Sequence, residues 1–253
     1  MRKSKLIERL FVIHRCAGCR KILSQKEFDN AFCSSCELSF RSASTECCPK
    51  CFRSAIECTC QPKALNRAGS LCLRKLFFYQ SDRENEPQNR LVYFLKRNRN
   101  QRILDFVAEE LYAELKTELK ELGVDGQTDK VLLVNVPRGK PAIFEYGFDQ
   151  SEQICNSISK LSGIQYLPLI KRKFGGKEQK RLSAVERRKN IKKLLMPDKR
   201  YSALARNKYI ILFDDIVTTG SSMVACLAIL RKMGVRGVIC STLATDIKKK
   251  RNI

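Results

Sequence analysis

The chain has 253 residues, long enough to bury one large or two modest cores, and its 49 basic against 26 acidic residues give a net charge of +23. That excess favours polyanionic partners, above all nucleic acid and phosphorylated ligands. Near the start the only apolar run, Leu10 to Ile13, is too short for a secretory signal, and nowhere do 18 apolar residues follow one another. A soluble, cytoplasmic chain without membrane insertion is therefore expected, and its 13 cysteines are reduced thiols or metal ligands rather than disulfides.

Nine of these cysteines lie between Cys16 and Cys60. Cys16 and Cys19, then Cys33 and Cys36, form two C-x₂-C pairs thirteen residues apart, the spacing of two knuckles that offer one Zn²⁺ four thiolates. Cys48, Cys51, Cys58 and Cys60 form a second set with an irregular last pair, and Cys47 stands beside it as a spare ligand. A site closed by four sulfurs leaves no position for substrate, so zinc here is structural. Redox pairs are disfavoured because no strand-then-helix pattern surrounds them. His14, the single histidine, is expected to flank the first site, and its solitude rules out Ser-His or Cys-His nucleophiles elsewhere.

Gln61 to Gly69, with Pro62, Asn66 and Gly69, reads as a linker, which divides the chain into residues 1–62 and 63–253. Leu71 to Tyr79 reads as a strand. Leu91 to Leu95 begins a short helix that runs into the basic cluster Lys96, Arg97, Arg99 and Arg102. Ile103, Val107, Leu111, Leu115, Leu119 and Leu122 keep helical spacing up to Gly123. Val131 to Val136 is a buried strand closed by Pro137. Asp149 and Glu152 form a capping box for a helix that Gly163 ends, and Ile164 to Ile170 reads as one further strand. Lys171 to Arg200 holds thirteen basic and three acidic residues, and within it Ser183 and Glu186 cap a basic helix from Gln179 to Ile191. Val235 to Leu243 is the last strand, followed by a basic tail. Cys72, Cys155, Cys226 and Cys240 sit in apolar contexts and read as core. Strands that alternate with helices imply an α/β fold with a parallel sheet, whose ligands gather at the carboxyl ends of the strands.

Tyr209 to Ser222, Y-I-I-L-F-D-D-I-V-T-T-G-S-S, organises the rest. Ile210 to Phe213 is a buried strand, and Asp214 and Asp215 stand at its expected end. Thr218, Thr219, Gly220, Ser221 and Ser222 make a flexible hydroxylated turn that opens a helix ending at Gly234. Free N–H groups at such a helix start suit a phosphate, and Gly220 lets the backbone approach it. The carboxylates repel a phosphate, so they suit hydroxyl groups or a hydrated Mg²⁺ beside it. A phosphorylated sugar satisfies both halves. The stretch is not a Walker A loop, since no Gly-Lys-Ser/Thr follows.

D-D-I-V-T-T-G-S-S resembles the phosphoribosyl-pyrophosphate (PRPP) motif of type I phosphoribosyltransferases. Together with Val136-Pro137, the run Gly147 to Gln150, and Q-x₂-L-S-x₂-E-R-x₂-N from Gln179 to Asn190, it identifies the chain as similar to the ComF family. That family joins a cysteine-rich zinc ribbon to a type I phosphoribosyltransferase-like parallel sheet and is linked to DNA uptake in natural transformation. The resemblance implies that Asp214 and Asp215 meet the ribose hydroxyls of Mg²⁺-bound PRPP, and that Thr218 to Ser222 cradle its 5′-phosphate. Basic residues such as Arg138 and Lys140 then lie toward the pyrophosphate, with Arg187 and Arg188 on a segment that closes over it. Two departures stand out. Ala142, Phe144 and Tyr146 occupy a loop that is usually rich in arginine, and Thr218 replaces the acid that serves purine-salvage enzymes as a base.

The function implied is transfer of a ribosyl group from PRPP to an unidentified acceptor. Two other readings stay open: a non-catalytic, zinc-dependent binder of single-stranded DNA, with Phe77, Phe78, Tyr79, Tyr93 or Phe94 as stacking candidates that also suit the core, and a regulator that senses PRPP. The resemblance makes single-stranded DNA and proteins of a DNA-uptake pathway candidate partners.

Overall fold

The computed structural model describes residues 12–139, 143, 145, 147–173 and 193–246. Lys140, Arg187, Arg188, the expected basic helix from Gln179 to Ile191 and the basic tail lie outside the described residues.

Five strands form one parallel sheet in the order β1-β7-β6-β2-β3: β1 (Leu73–Tyr79), β2 (Val131–Asn135), β3 (Gln165–Tyr166), β6 (Tyr209–Val217) and β7 (Gly237–Asp246). The central strands are apolar without interruption because both faces are covered. Alternation sorts their side chains. Val131, Leu133, Tyr209, Ile211 and Phe213 join one core cluster, and Leu132, Val134, Ile210 and Leu212 join the other. The first face carries α3 (Pro87–Arg97), α4 (Gln101–Glu121) and α5 (Gln150–Ser162). Against the second lie α2 (Lys63–Arg67), α6 (Ser221–Lys232) and a two-stranded antiparallel ribbon of β4 (Ile170–Arg172) and β5 (Leu195–Pro197).

Three boundaries differ from the sequence expectation. The run Ile164 to Ile170 is two elements, because Pro168 lacks an N–H for the ladder, so β3 pairs with β2 while β4 leaves the sheet. Gln61 to Gly69 is more than a linker: it contains α2, whose Leu65 is buried. Strand β6 continues past Phe213 to Val217, so Asp214 and Asp215 lie within it, with Asp214 opposite Thr242 of β7.

The cysteine-rich segment packs on the first face through α1 (Ser34–Ser44). Phe40 sits edge-on to Phe77 and Phe106, with ring centroids 6.0 and 5.4 Å away, and Arg41 makes a two-pronged ion pair with Glu110 at 2.5 and 2.8 Å. Cys72, Cys155, Cys226 and Cys240 are buried in the core, as are Phe77 and Phe78, which removes these two rings as stacking surfaces. No helix among the described residues is long and apolar enough to cross a membrane.

Candidate functional site

Strands β2 and β6 are neighbours in parallel register, so the loops that leave their carboxyl ends open on the same edge. Alternation sends the acid pair in opposite directions. Asp215 continues the row of Phe213 and meets Arg138 at 2.5 Å and Lys96, at the end of α3, at 3.6 Å. Asp214 lies on the α6 side, where burial first and the neighbouring Asp215 carboxylate second push its pKa well above the ordinary carboxylate value, although Arg138 and the Asp215 amide pull the other way.

Beyond Val217 the chain bends at Thr218 and Thr219 and enters α6. Gly220 is the N-cap of α6, in the left-handed region at φ 72°, and contributes no side-chain cap. The first amides of α6 are left with no capping side chain, at the positive end of its dipole. A Cβ on Gly220 would stand 2.9 Å from Cγ of Leu65, so glycine is required by backbone conformation and by the packing of α2 beneath the turn. Thr219 and Ser221 hydroxyls lie 2.7 Å apart across its mouth.

The β2 loop is anchored from behind. Asp149 caps α5 by accepting from the Ser151 and Glu152 amides at 2.9 and 3.3 Å, and its other oxygen accepts from the Arg138 amide and the Asn135 side chain, both at 3.2 Å. The Arg138 guanidinium also donates to Gln150 at 3.0 Å. Arg138 thus sits between Asp215 and the base of its own loop.

Two cations near this edge carry no motif that marks them in the sequence. Lys96 reaches Asp215 from a helix that precedes the acid by more than a hundred residues; only its place in a basic run after an apolar helix could have pointed to it. Arg172, the last residue of β4, lies beside Gly139: a Cβ there would be 3.4 Å from the guanidinium carbon. Burial depresses its pKa, and no ion pair involves it among the described residues. A partly buried guanidinium without a carboxylate partner is suited to an anion. Other charges of the basic segment are spent on structure, since Lys171 and Arg200 both pair with Asp198 at 2.8 and 2.9 Å.

The cysteine sets are assembled. The Sγ atoms of Cys16, Cys19, Cys33 and Cys36 lie within 4.8 Å of one another, and so do those of Cys48, Cys51, Cys58 and Cys60. Four sulfurs about 2.3 Å from a zinc ion stand roughly 3.8 Å apart in a tetrahedron. Cys19 and Cys33 are 3.7 Å apart, and the Cys33 amide donates to Cys16 Sγ at 3.3 Å, as a thiolate ligand requires. The donor sets fit zinc. Cys47 is exposed and outside the second set, while His14 stacks on Phe28 and bonds its carbonyl at 2.7 Å, flanking the first set without joining it.

Both sets open with the same knuckle. Cys16 and Cys48 each accept, at the carbonyl, the amide four residues on, and that fourth residue, Arg20 or Phe52, has positive φ (68° and 57°). Arg20 lies over the Phe94 ring at 4.7 Å, whereas Phe52 is 80% exposed.

No family model matches the chain. The DNA utilization protein YhgH of Escherichia coli (strain K12) is 26% identical over 162 residues, 62% of this chain and 68% of its own length. The competence protein ComFC of Streptococcus pneumoniae (strain ATCC BAA-255 / R6) is 24% identical over 220 residues, 86% of this chain and 89% of its own. Among solved structures, a hypoxanthine phosphoribosyltransferase from Staphylococcus aureus is similar at a TM-score of 0.34 and 17% identity, covering 58% of this chain and 69% of that one. The sequence relatives support the resemblance to the ComF family, and the structure joins paired cysteine knuckles to a five-stranded parallel sheet that ends in an acid pair and a glycine turn.

Proposed function

We propose that the chain binds Mg²⁺-PRPP at the carboxyl edge of β6 and β2 and transfers its ribosyl group to an acceptor. The observation that carries this reading is the unit formed by Asp214, Asp215, the turn at Gly220 and the uncapped start of α6. Acids and anion-binding amides lie seven residues apart on one strand-turn-helix unit, as a sugar phosphate demands. Asp214 and Asp215 accept hydrogen bonds from the ribose hydroxyls. Thr218 to Ser222 hold the 5′-phosphate, and Arg138, Arg172 and Lys96 face the pyrophosphate side, with Lys140, Arg187 and Arg188 as further cations. Magnesium bound with the ligand would supply charge neutralisation. The C1–O bond breaks with its electron pair leaving on pyrophosphate, the acceptor supplies the pair for the new bond, and the protein's part is positioning and electrostatics.

Protonation of Asp214 opposes this binding, because a protonated carboxyl loses the charge that strengthens hydrogen bonds from the sugar. Its pKa is raised in the free protein and falls when hydroxyl donors favour the ionised form. Affinity for Mg²⁺-PRPP should therefore tighten as pH rises through that raised pKa, with proton release on binding. Calorimetric titration in buffers of different ionisation heat measures the release. Subtracting the same titration of Asp214→Asn removes the protons of the ligand itself. No binding at millimolar ligand, or equal proton release by both proteins, would reject the site.

A second reading concerns DNA, to which the names of the relatives YhgH and ComFC connect those proteins through utilization and competence. Phe52 favours it: this ring projects at a knuckle tip between exposed Lys50 and Arg53, where its counterpart Arg20 is engaged with Phe94. A base stacked on Phe52, with phosphates on the two cations, uses all three side chains. Phe52→Ala should weaken single-stranded DNA binding by about 1–3 kcal/mol without changing its salt slope, while Lys50→Gln with Arg53→Gln flattens the slope by about 0.7 for each phosphate that is no longer neutralised. Unchanged affinity in both variants rules the knuckle out.

A further inference from the structure

Lys75 of β1 is 1% exposed, and among the described residues no carboxylate pairs with it. Its neighbour Arg74 is also buried but has Glu114 and Glu118, and reaches the Glu57 carbonyl at 3.5 Å. The Lys75 ammonium instead donates to the carbonyl of Cys58 and lies 5.9 Å from the centre of the Phe78 ring. Phe78 packs in one cluster with Cys48, Ala55 and Cys58, against which Cys51 and Cys60 rest. A buried ammonium needs an anion, and Cys58, whose carbonyl Lys75 bonds, belongs to a set of four clustered sulfurs that can be anionic. As neutral thiols they would leave Lys75 uncompensated. As four thiolates around a divalent ion they sum to −2, an excess that a buried cation offsets.

We propose that Lys75 is the counter-charge of the metal centre formed by Cys48, Cys51, Cys58 and Cys60, so that a residue of the sheet, outside the ribbon, holds the metal in place. This rests on the metal reading of the second set. The first set has a looser equivalent in Arg102. Its Nε and Nη1 are buried without hydrogen-bond partners and its Nη2 donates to the Arg15 carbonyl at 3.1 Å, yet Asp29 shares its charge with Cys16. Among the described residues Lys75 has no such carboxylate, so the second centre should depend on its cation more than the first.

The test separates charge from hydrogen bonding. Lys75→Gln keeps a donor for the Cys58 carbonyl and drops the charge; Lys75→Arg keeps the charge. Full-length protein is loaded with Co²⁺, and metal per chain, the thiolate-to-cobalt absorption band and chelator competition are recorded. Wild type and Lys75→Arg should hold two ions. Lys75→Gln should lose about 10- to 100-fold in affinity at one site and keep the other, with half of the cobalt band most easily removed. In the metal-stripped protein the sign reverses, and Lys75→Gln should melt at or above wild type, because an unpaired buried charge is gone. A residue that merely pins the ribbon would lower the melting temperature in both states and leave metal affinity unchanged, which overturns the proposal. If wild type holds a single ion, the metal reading of the second set fails and the inference with it. If wild type and Lys75→Gln hold two ions with equal affinity, the role of Lys75 alone fails.

Discussion

With Asp214 and Asp215 both changed to asparagine, Mg²⁺-PRPP binding is expected to fall by about 10²- to 10⁴-fold while the sheet still folds. In the proposed site each carboxylate would accept charged hydrogen bonds from the sugar, worth roughly 1.5–3 kcal/mol apiece, and the two together give that range. The two positions differ in what they do for stability. Asp214 has a raised pKa, so its ionisation opposes folding: the stability present below the ordinary carboxylate pKa is lost as pH rises toward the raised value. Asp214→Asn should thus be neutral at low pH and stabilising at neutral pH and above. Asp215 holds Arg138 and Lys96, and Asp215→Asn leaves these cations facing each other at the loop of β2. That single change should be the destabilising one, and its effect should shrink when phosphate or pyrophosphate is added. Thermal melts of the two single variants against pH, with titration of the double variant, check both halves. A folded double variant that binds Mg²⁺-PRPP as wild type does would remove the acid pair from the site.

Much of the scaffold was readable because a parallel sheet with both faces covered writes itself as uninterrupted apolar runs. Val131 to Val136 and Ile210 to Phe213 are such runs, and they are adjacent in the sheet. The strand limits were not readable where polar residues continue a ladder. Asp214 and Asp215 end the apolar run, yet β7 offers Thr242, Ala244 and Thr245 as partners, and β6 goes on to Val217. Nor could five residues of α2 show a helical period, so Leu65 beneath Gly220 was hidden in what reads as a linker. Local motifs did assemble as spaced: the turn at Gly220, the Asp149 cap and both cysteine sets are determined by neighbours in sequence. The pairing of Asp215 with Arg138 and Lys96 is long-range, and no pattern within either segment encodes it.

Removing the metal should do more than loosen the cysteine knuckles. Four thiols confined within 4.8 Å have little to hold them together once the ion is gone, and binding free energies of structural zinc are of order 10 kcal/mol in isolated fingers. From the sequence, Cys33→Ser would be expected to loosen the N-terminal segment while the rest stays folded. The packing predicts a wider effect. Phe32 and Phe40 of the cysteine-rich segment pack tilted against each other and edge-on against Phe106, and Phe40 also meets Phe77 of β1. When the segment detaches, these two buried rings and the face of α4 that they cover are exposed to water. Losing two phenylalanines from the core amounts to about 3–6 kcal/mol, which for a domain of this size lowers the melting temperature by roughly 10 °C or more. Hydrogen exchange should then show lost protection in α1 first, next in β1 and α4, while β2 and β6, two and more strands inside the sheet, stay protected. Elemental analysis of protein purified without chelator should find one to two zinc ions per chain, two where both cysteine sets are metal centres. Protein with no zinc, or stripped protein that melts where the loaded protein does, would mean that the knuckles are held by packing alone and that the metal centres do not contribute to the fold.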